Sequence, residues 1–393
     1  MSDKKLKKQT RLLQAGRSPK DNFGIVNPPV YHASTVTWPT IADLEHANKT
    51  PYDGVRYGTR GTTTTFALED AVTELENGYR SIAVCSGLTA VTAPLTAFLS
   101  SGDHILMVDS AYGPSRVFCD SNLNRFGIET TYYDPMIGAG IEALVKDNTK
   151  LIFLESPGSL TFEVQDVPAI VAVAKSRGIT TIIDNTWAAG TYFRPLDHGV
   201  DVTVQAVTKY IGGHADLIMG VITTTEEAYL PVKRECSVLG IHAAPDDCFL
   251  ALRGLRSMNA RLALHQEHAL KLANWLGGRE EVARVLHPAL PSCPGHEIWK
   301  RDFSGSSGLF SIVLKDSYSK QAVTAMVEGL DLFPIGYSWG GYESLIIPAY
   351  PQQSRTATKW KSGPVVRIHA GLEDPDDLIA DLEKGLARLN AAS

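Results

Sequence analysis

No run of this chain is apolar for long enough to cross a bilayer. The longest candidate, LTAVTAPLTAFL at residues 88–99, falls short of the roughly 20 residues a span needs and is broken by threonines. The opening MSDKKLKKQTRLLQAGR is basic but has no apolar segment behind it, so no secretory signal is expected. Cysteine is scarce: Cys85, Cys119, Cys236, Cys248 and Cys293 are scattered and odd in number, with no C-x-x-C. That excludes a disulfide framework and a paired-thiol zinc site, and it points to a reducing, cytoplasmic setting. Strong charge of one sign is also missing. A formal net charge of −6 implies no general attraction to nucleic acid or anionic lipid, and the short basic cluster KKLKK at 4–8 reads as a solvated tail. IGAG at 137–140 lacks the third glycine of a dinucleotide fingerprint, and neither a P-loop nor G-x-S-x-G occurs. His214 and Asp216 have no further ligand at metal spacing, so a hydrogen-bonded structural histidine is expected. Internal repeats and low-complexity segments are absent as well.

What is present is ordinary globular material: 393 residues, 44% of them hydrophobic and 20% charged. At about 150 residues per domain this suggests two or three units. Residues 1–60 are rich in turn formers and weak in periodicity, which suits an arm lying across something else. Residues 61–255 alternate short apolar β-branched runs (SIAVCS, HILMVD, TTYYD, KLIFLES, TTIIDNT, DVTVQAVTKY) with helix-like segments (GLTAVTAPLTAFLS, GIEALVKDN, VPAIVAVAKSRG). The pattern predicts an α/β unit with a mostly parallel sheet covered on both faces, its ligand at the carboxyl ends of the strands. Residues 256–393 read as a smaller α+β unit. It opens on the long helical pattern MNARLALHQEHALKLANWLGG and closes on a helix with Asp374 as N-cap and Pro375 at the first position. Leu378, Leu382, Leu386 and Leu389 share one face of that last helix.

Six stretches carry possible chemistry. Lys209, in VQAVTKYIGGHAD (204–216), ends an apolar run where an ammonium is poorly solvated. A surface charge is the plain alternative, but an amine kept partly neutral is a nucleophile for an aldehyde. Gly212 and Gly213 behind it would let backbone approach a ligand. Asp184, in TIIDNTWAAG (181–190), either starts a turn or holds a cation such as a protonated pyridine nitrogen. Together Asp184 and Lys209 are what a pyridoxal phosphate site requires. CSGLTA (85–90) opens a helix right after a strand, so it is a simple corner or a phosphate cradle made by the amides of Gly87 and Leu88. Tyr112, beyond HILMVD, caps the core or stacks on a flat heterocycle. Tyr57 and Arg60, in RYGTRGTTTT, end the arm and are able to donate to a phosphate, in a neighbouring subunit if the arm reaches one. Arg367, in VVRIHAGLED, is a salt-bridge partner at the core edge or a bidentate clamp on a carboxylate.

At whole-chain scale ESPGSLTFEVQDVPAI, IIDNTWAAG, AVTKYIGGHAD, HPALP, GHEIWKRDFSGSSGLFS and YSWGGYESL resemble the Cys/Met-metabolism family of pyridoxal-phosphate-dependent enzymes, from the arm to the last helix. YSWGGYESL is similar to the β-eliminating branch, where γ-eliminating and γ-replacing members usually carry Leu-Gly-Gly. The resemblance implies fold type I, pyridoxal 5'-phosphate as cofactor, and a homotetramer built as a dimer of dimers. It implies Lys209 as the Schiff-base lysine, Asp184 at the ring nitrogen and Tyr112 stacked on the ring. Gly87, Leu88, Ala206 and Thr208 would contact phosphate and ring, with Tyr57 arriving from the adjacent subunit. Arg367 would clamp the substrate carboxylate, with Tyr337, Ser338, Trp339 and Tyr57 beside the substrate. One position departs from the family pattern of tyrosine, any residue, arginine: Thr59 stands third and Arg60 follows it, so either side chain is a candidate for the phosphate. The implied activity is β-elimination at a carbon–sulfur bond of a thioether amino acid such as L-cystathionine. Alternatives are a broader cysteine-S-conjugate lyase or cysteine desulfhydrase, a γ-elimination or γ-replacement enzyme, or a non-catalytic scaffold on the same fold.

Overall fold

The computed structural model describes residues 6–393, so Lys4 and Lys5 of the basic cluster lie outside the described residues. Seven strands make the larger sheet: β1 (Arg80–Val84), β2 (His104–Val108), β3 (Glu129–Tyr133), β4 (Thr149–Glu155), β5 (Thr180–Asp184), β6 (Val202–Ala206) and β7 (Gly220–Thr224). Their order is β1-β7-β6-β5-β4-β2-β3, and only β7 runs against the rest. The sheet is mostly parallel because its strands are apolar on both sides: Ile105 to Val108 and Leu151 to Leu154 are fully buried. Alternation separates the two faces. Ile82, Val84 and Ile222 pack with Val91 and Leu95 of the helix Gly87–Phe98. Ala83 and Val221 meet Leu68, Val72 and Leu75 of the helix Thr63–Glu76, and Leu255 and Met258 of the helix Pro245–Gly277.

A second sheet follows, of β8 (Val282–Leu286), β9 (Leu309–Leu314), β10 (Leu345–Ala349) and β11 (Val365–His369). It is antiparallel throughout, in the order β10-β11-β9-β8, and Pro348 sits on the edge strand where a missing N–H is tolerated. Phe310, Ile312, Leu314, Val366 and Ile368 face the helices Lys320–Glu328 and Pro375–Ala391, with Leu378, Leu382, Leu386 and Leu389 buried among them. By period two, Ser311, Arg367 and His369 point to the opposite face, and Arg367 and Ser311 are register partners. Asp374 caps the last helix as expected, its carboxylate accepting from Asp376 N.

Three local expectations are corrected. Lys209 lies in the turn beyond β6, not on the strand. The helix expected over 140–148 is a single short 3-10 segment, Gly138–Leu144, consistent with two helix-weakening glycines in its first turn. The long helix begins at Pro245, well before Met258; Pro at its first position and Asp246 and Asp247 in its first turn are the start signals. That helix runs through residues 255 and 256, serving the larger core with its first half and the smaller core with its second. β7 was not anticipated from the sequence.

Candidate active site

The neighbouring strands β4, β5 and β6 end in Glu155, Asp184 and Ala206, so the topology gathers chemistry at one sheet edge. Asp184 is the last residue of β5. Its Oδ1 accepts from Thr186 N at 2.9 Å and Thr186 Oγ1 at 2.5 Å, a local turn, and Thr186 Oγ1 accepts from Ala206 N at 2.9 Å. The turn reading and the cation-holding reading of Asp184 are therefore compatible: one oxygen makes the turn, and no described donor pairs with Oδ2. Burial raises its pKa, while the Thr186 bonds and Lys209 oppose the rise.

Glu155 pairs in register with Asp184 and accepts from Tyr112 N at 2.6 Å. Burial first, and Asp184 next, hold its carboxyl well above the usual range. Sequence reasoning missed Glu155; its signal was a carboxylate ending an apolar strand, as Asp184 does. Tyr112 is half-exposed at 46%. Burial, Asp184 and Glu155 all raise its pKa against a smaller opposite effect of Arg367, so its hydroxyl keeps its proton.

Lys209 is set by a tight turn in which Gly212 N donates to Val207 O and Gly213 N donates to Lys209 O at 2.7 Å. Its Nζ donates to Ser338 Oγ at 2.8 Å and lies 5.2 Å from the centre of the Trp339 ring. Burial lowers its pKa to about 8, Arg367 pushes the same way, and Asp184 resists. The space beside the second glycine behind it is filled by the protein itself. A Cβ on Gly213 would meet the Arg261 guanidinium at 1.9 Å, so this glycine makes room for the chain's own arginine, which donates to Tyr210 O; a Cβ on Gly212 would meet Val207 O at 3.0 Å. His214 Nδ1 pairs with Gly212 O, in keeping with a structural histidine, and the described residues contain no cluster able to hold a metal.

Gly87 and Leu88 begin their helix behind Ser86, whose hydroxyl accepts from Thr89 N. A Cβ on Gly87 would lie 2.6 Å from Ala206 Cβ, so only glycine allows this close approach to β6. The Thr208 hydroxyl is engaged by the backbone of Met219 as donor and acceptor. From the smaller unit, Arg367 Nη2 donates to the carbonyls of Tyr337 at 2.5 Å, Ser338 at 3.3 Å and Gly336 at 3.4 Å. That leaves Nε and Nη1 without a described partner, and burial draws Arg367 down to about 10. Tyr337 itself is 87% exposed. Tyr57, Thr59 and Arg60 stay with the arm: Gly58 N donates to Ser34 O, and Arg60 lies over the Tyr52 ring. Among the described contacts none joins these three to Lys209, Asp184 or Tyr112 of the same chain.

A lysine whose pKa burial lowers to about 8, a buried carboxylate with one oxygen unclaimed and a glycine-opened helix start are the donor set that pyridoxal 5'-phosphate requires, and the residues fit it. Fold and site define a fold type I pyridoxal-phosphate enzyme. The family model for Cys/Met metabolism PLP-dependent enzymes matches residues 9–387, and the chain belongs to that family. Cystathionine beta-lyase MetC of Escherichia coli is 44% identical over 396 residues, covering 99% of this chain and all of that one. An L-alanine/L-glutamate racemase of Wolbachia pipientis is 42% identical over 397 residues, covering 98% of each. The solved cystathionine gamma synthase of Xanthomonas oryzae, in complex with cystathionine, superposes with a TM-score of 0.89 at 29% identity, covering 99% of this chain and all of that one.

Proposed function

We propose that the chain is a carbon–sulfur β-lyase that converts L-cystathionine to L-homocysteine, pyruvate and ammonia. The observation that carries the reading is Lys209 Nζ, poised between Ser338 and Trp339 with Asp184 and Arg367 near, in a chain similar along its whole length to a cystathionine beta-lyase. Arg367 offers its free N–H groups to the substrate carboxylate, its third nitrogen being tied to the loop. Asp184 would hold the pyridine nitrogen of the cofactor and favour its protonated form. When bound, the cofactor supplies an aldehyde carbon for the Lys209 amine and an electron sink for charge developing at the substrate Cα. Lys209, as the free amine, would take the Cα proton as general base. The departing sulfur receives a proton from Tyr112 or from the Lys209 ammonium. Gly87, Leu88, Ala206 and Thr208 would line the phosphate and ring.

The proposal extends to assembly. Tyr57, with Arg60 or Thr59, completes the phosphate site of an adjacent subunit in a homotetramer made as a dimer of dimers. In favour is the arm's apolar exposure, with Phe23 100%, Val26 56% and Tyr31 49% accessible. In the same reading residues 61–255 carry the cofactor and 256–393 the carboxylate clamp, and the enzyme works in the cytoplasm. The test is to incubate the cofactor-loaded protein with L-cystathionine and identify the keto acid. Pyruvate is expected, and 2-oxobutyrate would move the chain to γ-elimination. The racemase likeness favours a second reading, proton return to the opposite face of Cα; D-alanine formed from L-alanine without pyruvate from cystathionine would establish it in place of the first.

A further inference from the structure

The segment 336–341 is wedged between β11 and Lys209. At Gly340, where φ is +85°, an added Cβ would come 2.9 Å from Lys209 C and 3.0 Å from its Cα. The loop backbone thus rests on the backbone of the lysine, and any shift of the loop moves Ser338 and Trp339 relative to Nζ. Two side chains on one face of β11 hold it there. Arg367 takes the carbonyls, as described. His369, two residues on, places Nε2 3.1 Å from Gly340 N and 3.2 Å from Gly341 O.

His369 is 1% exposed, its Nδ1 has no partner, and its ring lies against His265 and Tyr210, with centroids 5.1 and 6.1 Å away. A single nitrogen faces one donor and one acceptor. The tautomer protonated on Nδ1 accepts from Gly340 N–H and carries its own Nδ1–H without a described partner; the other donates to Gly341 O and leaves the Gly340 N–H without one, so in either form Nε2 bonds to the loop backbone. Burial, with His265, Arg367 and Lys209 close by, holds its pKa well below the usual range against the opposing bond to Gly341, and a neutral ring is the state in which Nε2 is able to accept.

We propose that His369 is a positioning residue for the reaction: its Nε2 accepts from Gly340 N–H and thereby fixes the loop that sets Ser338 and Trp339 against the Lys209 amine. The inference rests on the lyase reading of this site. His369→Phe keeps a ring in the aromatic surroundings and removes the acceptor, whereas His369→Gln places an amide oxygen near the position of Nε2. Two readouts are taken on cofactor-bound enzyme: kcat and KM for L-cystathionine, and the pH at which the cofactor's visible absorbance changes without substrate. The Phe variant is expected to lose about ten- to a hundredfold in kcat with a smaller change in KM, and to shift the spectral midpoint by about half a pH unit. The Gln variant should recover most of both. Equal damage in Gln and Phe, or a Phe variant like wild type, overturns the proposal. Should wild type release no pyruvate, the lyase reading falls, and the substrate-free spectra still decide the role of His369.

Discussion

The two sides of the site are built on opposite principles. On the larger sheet, Glu155, Asp184 and Lys209 sit at or just beyond strand ends, where parallel neighbours bring residues far apart in sequence onto one edge. On the smaller sheet, Arg367 and His369 project from the middle and end of one strand, and face alternation alone separates them from Val366 and Ile368 in the core. On the first side the residues are placed by the strand ends themselves; on the second, Arg367 and His369 both bond to the loop 336–341, which in turn rests on the Lys209 backbone.

The sharpest way to break the comparison is Lys209→Ala, which removes the amine on the larger side. It should lower kcat/KM by about a thousandfold or more while the protein stays folded, read by pyruvate release and by loss of a borohydride-trapped cofactor. Arg367→Lys comes next. The charge remains but the fork is lost, so KM for L-cystathionine should rise about 10–100-fold with a smaller fall in kcat. Changes matching those of Lys209→Ala would mean that Arg367 acts on chemistry instead of binding.

The same residue tunes pH dependence. Lys209 works as a base when deprotonated, so kcat should climb with pH and level off above about 8. Arg367 lowers the lysine's pKa as a like charge. Arg367→Met should therefore move this limb to higher pH, whereas Arg367→Lys should leave it near its place; an unmoved limb in the Met variant would separate the two sides electrostatically. Smaller effects belong to the scaffold beneath the second side. Leu382→Ala, emptying a fully buried site, should cost about 2–5 kcal/mol in urea unfolding. Asp374→Ala, losing the cap on the same helix, should cost about 0.5–2 kcal/mol.

The larger side was legible because its signals are local. An apolar run that ends in Asp184 or runs into Lys209 announces a poorly solvated charge, and Ser86-Gly87 after a strand announces a helix start. Glu155 was overlooked for want of a partner: its importance comes from lying beside Asp184, and adjacency of β4 to β5 is a property of the sheet. Gly212 and Gly213 misled for the same reason, since the group that fills the space beside Gly213 is Arg261, from a helix some fifty residues on. β7 escaped because a short apolar run after another apolar run has no period of its own.

From the sequence alone came the family, the cofactor, the α/β pattern, the capped last helix and the proposal of Lys209, Asp184 and Arg367 for the site, because chain-local chemistry and motif wording carry them. Tertiary structure decided that Arg367 spends one nitrogen on the loop 336–341, that His369 shares that task, and that Glu155 stands by Asp184. Those facts depend on which strands pair, in what register and with which face inward, and such choices follow from the burial of the whole core rather than from any one stretch of it.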